Sequence, residues 1–151
     1  MIFTTHIIVG SAAGSLTGNP GLAFLYGLIS HHIIDAIPHI DPGSYIKEKY
    51  WKYPKVLVTI GVDLLVGLII FVWLWKQREF SPVIFWGALG GVISDIVDNG
   101  PWQEVVRKLP VFKQFHAMHH YLHATVPPKW LALGMLTQLA LIAASVGIIM
   151  R

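Results

Sequence analysis

The sequence has no cysteine in its 151 residues. Disulfides, thiolate zinc sites, iron–sulfur clusters and cysteine nucleophiles are therefore excluded. Any metal ion that this protein binds must be held by histidine nitrogens and carboxylate oxygens.

Charged residues are also scarce, at 13% of the chain, against about 25% in average soluble domains. Hydrophobic residues make up 54% of the chain, and the mean hydropathy is +0.60. This composition predicts that lipid surrounds most of the protein. The net charge of +3 does not indicate a nucleic-acid partner, because the basic residues lie beside the apolar segments and form no stripe of their own.

The apolar segments predict membrane helices, each of which needs about 20 apolar residues. The first segment, residues 4–38, is too long for one span, and Gly18-Asn19-Pro20 within it has the residue types that end one helix and begin another. We predict a helical hairpin of residues 4–17 and 21–37, followed by spans at 54–75, 82–98 and 130–150. The predicted fold is one all-α, multi-pass membrane domain over residues 1–151, with about five membrane helices and an interfacial helix that carries histidines.

Histidine and aspartate are concentrated in four short clusters of this apolar chain. The clusters are His6; His31, His32, Asp35, His39 and Asp41; Asp95 and Asp98; and His116, His119, His120 and His123. Such side chains are costly to leave unpaired in an apolar setting, and they bind zinc, manganese and iron. Because successive helices alternate in direction, all four clusters are expected at one end of the bundle, which predicts a divalent-metal site there.

Three of the four clusters also have a purely structural explanation. His31 and Asp35 share a helix face at i and i+4, and they could simply form a hydrogen-bonded pair that closes a helix end. Asp95 and Asp98 could mark the end of a helix in water. The last four histidines could form a pH-responsive amphipathic helix on a membrane surface. Their expected convergence favours metal ligation over these three explanations.

We predict one to three divalent ions, with zinc first and manganese or iron as alternatives. The predicted ligands are His6, His31, His32, Asp35, His39, Asp95, Asp98, His116, His119, His120 and His123, of which the leading six are His6, His31, Asp35, Asp95, His116 and His120. Asp98, His123 and Asp63 are predicted to bridge metals or to take a proton from water. Asp63 lies alone in a span, at an insertion cost of about 2.5–3.5 kcal/mol, so it needs a partner. It could be a metal ligand, a carboxylate that orients a histidine, or a proton relay.

These motifs resemble the LexA-regulated, inner-membrane-bound type of predicted metal-dependent hydrolase. The matching elements are Thr5-His6, the G-L-I-S-H-H-I-I-D helix from Gly27 to Asp35, the acidic block from Ser94 to Asp98, and the histidine block from His116 to His123. The order of the blocks differs from the family pattern, and the acidic spacing is longer here. The resemblance implies a membrane-bound hydrolase that depends on a divalent metal.

We therefore expect a hydrolase that uses a metal-activated water at the membrane interface, on a lipid or phosphoester substrate. The alternatives are a divalent-metal or proton transporter, and a metal-binding membrane protein without hydrolase activity. A transporter should hold its ligands near the bilayer midplane, whereas these clusters gather at one end. A b-type haem protein with paired histidines is disfavoured by the aspartates beside the histidines.

Basic residues are expected to lie mainly on the side of the site. Eight belong to that side (Lys47, Lys49, Lys52, Lys55, Arg107, Lys108, Lys113 and Lys129) and three to the other (Lys76, Arg78 and Arg151). The positive-inside rule then predicts a site on the cytoplasmic side of the cell (inner) membrane. Basic side chains at that interface favour membrane lipids with anionic headgroups as partners.

Overall fold

The computed structural model describes residues 1–41, 53–99 and 102–151. About 80% of the described residues are helical and none forms a strand, which confirms the all-α class. In chain order the helices are α1 (Phe3–Ser15), α2 (Pro20–Asp35), α3 (Pro54–Gln77), α4 (Pro82–Asn99), α5 (Gln103–Val106), α6 (Pro110–Leu122) and α7 (Leu131–Ile149), with a short 3-10 helix at Pro128–Trp130. Lys47, Lys49 and Lys52 of the predicted charge bias lie outside the described residues.

The first two helices form the predicted hairpin. Asn19 caps α2, since its Oδ1 accepts hydrogen bonds from the backbone N–H groups of Gly21 at 2.8 Å and Leu22 at 3.1 Å. Pro20 occupies the first turn, where its missing N–H costs nothing. The two helices agree with the predicted ranges within two residues, which is the usual uncertainty of a helix end.

Helix α1 is the centre of the bundle. It packs against α2, α3, α4 and α7, and most of its residues are buried, as expected for an enclosed helix. Ile7, Ile8 and Ala12 of α1 form the core with residues of the surrounding helices, namely Phe71, Leu74, Ile84, Ala88 and Ile149. His6 therefore lies at the N-terminal end of a helix that the others surround.

Glycines bring the backbones of α1, α2 and α4 into direct contact. A Cβ atom at Gly27 of α2 would collide with the carbonyl oxygen of Gly87 on α4, and one at Gly10 of α1 would lie 2.5 Å from the same oxygen. Only residues without a side chain permit this approach. The contact places the ends of the three helices that carry His6, His31 and Asp95 next to one another.

Two helices of the described chain are long and apolar enough to cross a membrane. These are Pro54–Gln77 and Pro128–Ile149. Within the most apolar stretch of each helix, only 11% and 22% of the residues, respectively, are buried in the protein. Helices α1 and α2 have 13 and 16 residues, which is shorter than the ~20 residues of a typical span. The predicted total of five membrane helices therefore stays a prediction.

The glycine contact can be tested by adding one methyl group. We expect Gly27→Ala to lower the free energy of unfolding by about 1–3 kcal/mol, because backbone atoms of α4 cannot move away from the new Cβ without disturbing the packing. Gly61→Ala on α3 is the matched control, since nothing lies within 4 Å of the position of its new Cβ. Thermal unfolding in detergent measures both variants; equal melting temperatures would contradict the proposed close packing.

Candidate metal centre

Members of all four predicted clusters meet at one end of the bundle. His6 comes from α1, His31 and Asp35 from α2, Asp95 and Asp98 from α4, and His119 from α6. His39 lies in the loop after α2, and His123 directly follows α6. His6, His31, Asp35 and His39 are fully buried, and Asp95, Asp98 and His119 are buried as well. The expected convergence is therefore present in the folded chain.

The carboxylate of Asp35 lies at the centre of this group. Its Oδ1 is 3.2 Å from His6 Nε2, and its Oδ2 is 3.3 Å from the Nε2 atoms of both His31 and His119. His123 Nε2 and His39 Nε2 lie farther away, at 3.8 Å and 3.9 Å. In this chain the Met1 amino group also donates to Asp35 Oδ1, at 2.9 Å.

Three groups of side chains in the described residues have the arrangement of a metal site. They are His6, His31 and Asp95; His31, Asp35 and His119; and Asp35, His39 and His123. Within each group the ligand atoms lie within 4.8 Å of one another. His31 and Asp35 each belong to two groups, so the three groups form one continuous cluster.

The spacing within the cluster matches shared coordination. Ligand atoms at about 2.1 Å from a tetrahedral ion lie roughly 3.4 Å from one another. His31 Nε2 and His119 Nε2 are 3.1 Å apart, and His6 Nε2 is 3.6 Å from Asp95 Oδ2. Although His6 Nε2 is close to two carboxylates, it makes no hydrogen bond of acceptable geometry. A fully buried nitrogen in that position is well suited to bind a cation.

Three histidines are held by the ring nitrogen that faces away from the cluster. His31 Nδ1 is 2.8 Å from the carbonyl oxygen of Gly91, and His39 Nδ1 is 2.8 Å from that of Ile37. His119 Nδ1 is 3.1 Å from Asp98 Oδ2. Metal-binding histidines typically donate their outer N–H to an oxygen in this way, which fixes the ring and leaves the Nε2 lone pair facing inward.

A backbone connection between two loops completes the third group. The His39 N–H donates to the carbonyl of Ala124 at 3.1 Å, and the Val126 N–H donates to the carbonyl of His39 at 2.8 Å. Together they form a parallel bridge between His39 and Thr125, which places the His39 and His123 rings 4.6 Å apart. This contact could not be predicted from the sequence, because neither loop has a periodic pattern.

A second layer of polar contacts surrounds Asp98. Its carboxylate accepts hydrogen bonds from His116 Nδ1 at 2.7 Å and Arg107 Nη2 at 3.2 Å, in addition to His119. His116 belongs to none of the three groups, and its side chain is 34% exposed. Arg107 was absent from the predicted site, although its position near the histidine block could have indicated a carboxylate partner.

Three other predicted ligands also lie outside the three groups, namely Asp98, His32 and His120. The His32 ring contacts the ring of His31 at 4.9 Å, and its Nε2 is 3.5 Å from Ser94 Oγ. His120 is exposed and stacks on His116 at 6.1 Å. Of the six leading ligands, His6, His31, Asp35 and Asp95 belong to the groups, whereas His116 and His120 do not.

Asp63 has a partner at the start of α1. Its two carboxylate oxygens each lie 3.4 Å from the Thr4 backbone nitrogen, and its carbonyl accepts the Thr4 hydroxyl at 2.7 Å. A carboxylate at a helix N-terminus is stabilised by the helix dipole. This contact explains an acid inside the apolar helix α3; its predicted catalytic role stays a prediction.

Burial and neighbouring charges set the protonation of the loop and α6 histidines. Burial lowers the pKa of His123 to about 3 and also lowers the pKa of His39, which favours the neutral imidazole that binds metals. Burial alone would lower the pKa of His119 too, but hydrogen bonds with Asp35 and Asp98 raise it to about 9. Protonated His119 therefore balances the carboxylates, and a metal ion at this position would have to displace its proton.

The fold and the site together define an all-helical protein with a buried histidine–aspartate cluster that could hold metal ions. The sequence matches no family model, and no curated protein or solved structure matches it significantly. The resemblance to the LexA-regulated hydrolases thus stays a prediction from motifs.

The role of Asp35 can be tested by metal content. We expect Asp35→Asn to lower the affinity for zinc by at least ~100-fold, because this carboxylate belongs to two of the three groups. Removing a residue that only orients a metal ligand already lowers metal affinity by about 10–100-fold. Elemental mass spectrometry of detergent-purified protein without a histidine tag measures the bound metal. Asp63→Asn, outside the three groups, should retain wild-type metal content; equal stoichiometry in both variants would refute the assignment of Asp35.

Asp98 provides a graded version of this test. Because Asp98 holds the outer nitrogen of His119, we expect Asp98→Asn to weaken zinc binding by about 10–100-fold without abolishing it. Competition with a chromophoric chelator measures the affinity. His120→Gln is the control on exposed α6, and a loss as large as that of Asp35→Asn would show that Asp98 is itself a ligand.

Proposed function

We propose that this protein is a membrane-bound, metal-dependent hydrolase with one to three divalent ions, zinc first, in the cluster around Asp35. The observation that carries the proposal is the sharing of His31 and Asp35 between adjacent groups of ligands. A shared carboxylate is typical of hydrolytic sites with neighbouring metal ions. A divalent ion bound there would supply Lewis acidity, which would lower the pKa of a bound water molecule toward about 7.

The residues of the second layer are suited to move the proton that hydrolysis releases. Asp98 contacts buried His119 on its inner side and half-exposed His116 on its outer side. These contacts form a continuous path of titratable groups from the cluster toward solvent. Asp98 thereby keeps the proton-accepting role predicted for it, with His116 as the next group along the path. Arg107 holds the Asp98 carboxylate in position through two hydrogen bonds.

His123 borders the cluster on its other side. Its Nε2 lies 3.8 Å from both Asp35 Oδ2 and Asp41 Oδ2, and its side chain is 15% exposed. It is therefore more accessible than the other histidines of the three groups. We therefore keep for it the predicted role of taking a proton from the attacking water.

We further propose that the chain is a multi-pass protein of the inner membrane with five membrane helices and its site on the cytoplasmic side. The support is the apolar surface of α3 and α7 and the exposed Leu25, Ile29 and Ile33 on α2. Arg107, Lys108 and Lys113 lie on the α5–α6 segment that covers the site. Basic groups in this position suit a lipid or other substrate with a phosphate group.

A metal-binding membrane protein without hydrolase activity is the second candidate. It is favoured by the complete burial of His6, His31 and Asp35, since a hydrolytic metal must keep a position open for water. The two candidates make opposite predictions for activity once the protein is loaded with metal.

The deciding experiment is a substrate panel for the zinc-loaded protein in lipid nanodiscs. The panel contains a lipid phosphomonoester, a lipid phosphodiester and a carboxylic ester, with products measured by mass spectrometry. We expect hydrolysis of a phosphoester at a rate at least ~100-fold above that of Asp35→Asn, because removing a group central to catalysis typically costs several powers of ten. Chelation of the metal should abolish the reaction. A metal-loaded protein that is inert on the whole panel would establish the second candidate.

A further inference from the structure

An apolar groove of about 230 Å³ lies between α2, α4 and α6. Its walls include Leu28 from α2, Ile93, Ser94 and Val97 from α4, and Phe112 and Phe115 from α6. Ser94 is the only polar side chain among these residues. None of the residues that line the groove belongs to the three groups of the metal centre.

The groove ends at the histidines of the metal centre. Leu28 precedes His31 by one helical turn on α2, and the Phe115 ring lies 5.9 Å from the rings of both His32 and His119. Ser94 Oγ is 3.5 Å from His32 Nε2 at the same end. A molecule in the groove would therefore have one end beside the metal centre.

Basic side chains lie on α6, which forms one wall of the groove, and just before this helix. Lys113 follows Phe112 directly on α6, and Arg107 and Lys108 lie just before this helix. An apolar groove beside histidines and basic side chains is complementary to a molecule with an apolar chain and an anionic head. The groove therefore has room for a short stretch of an acyl chain.

We propose that this groove binds one acyl chain of a phosphate-bearing lipid and directs its headgroup to the metal centre. The proposal rests on the hydrolase function above and defines its substrate class. The rest of the chain would leave the groove past Val111, which forms part of its wall and is 74% exposed. From there it would continue along the apolar surface of the protein into the bilayer.

The test is photolabelling in phosphatidylcholine nanodiscs. The probe is a long-chain lysophosphatidic acid phosphonate, which cannot be hydrolysed at the phosphorus, with a diazirine in its acyl chain. We expect labelled peptides from α4 and α6 of the zinc-loaded protein. A monoacylglycerol with the same diazirine chain should label these peptides less, because it lacks the anionic head.

Matched tryptophan variants separate the groove from the general lipid surface. Leu28→Trp should fill the groove and reduce labelling by about tenfold, which corresponds to a tenfold weaker binding constant. Ile29→Trp, at the neighbouring exposed position, should label like the wild type. Val111→Trp at the edge of the groove, with exposed Met118→Trp as its control, tests the same point should Leu28→Trp fail to fold.

The metal content of each sample distinguishes this proposal from the hydrolase proposal. Labelling spread over the exposed faces of α3 and α7, and equal in all variants, would overturn the lipid groove even if the protein holds zinc. Groove labelling that both filling variants remove, in a protein that binds no metal, would support the groove and refute the hydrolase.

Discussion

The site depends on the direct backbone contact between α1, α2 and α4. Gly10, Gly27 and Gly87 allow these helices to approach more closely than any side chain would permit. The contact lies just over a turn from His6 and His31, so it determines how closely the histidines and aspartates can meet. With larger residues at these positions, the distances of 3.2 Å from His6 to Asp35 and 3.6 Å from His6 to Asp95, which join different helices, could not be maintained.

The second constraint is electrostatic. Asp35 is fully buried, and a buried carboxylate without a compensating cation is strongly destabilising. Protonated His119 and the Met1 amino group, 3.3 Å and 2.9 Å from the Asp35 carboxylate, supply positive charge there; in the proposed holoprotein, metal ions would take over this role. The same cluster can therefore be satisfied in two ways, which makes metal binding an exchange of protons for ions.

Helix α6 contributes residues both to the metal centre and to the apolar groove. Its inner face presents His119 to the cluster, and Phe112 and Phe115 to the apolar groove. Because these residues follow one another at helical spacing, a headgroup at the metal centre and an acyl chain in the groove would contact the same helix. This arrangement is the reason for linking the proposed hydrolase chemistry to a lipid substrate.

The sequence by itself determined the local structure: the all-α class, the hairpin at Asn19, the start of helices at Pro54 and Pro82, and the presence of a histidine–aspartate cluster. These features follow from caps, prolines and apolar segments, which act over a few residues. The tertiary structure decided which histidines face Asp35. The helical spacing of the last block equally allowed His116 or His120, but the rotation of α6 selected His119, and the loop bridge brought in His39 and His123. Such choices depend on contacts between residues far apart in the chain, which local periodicity does not specify.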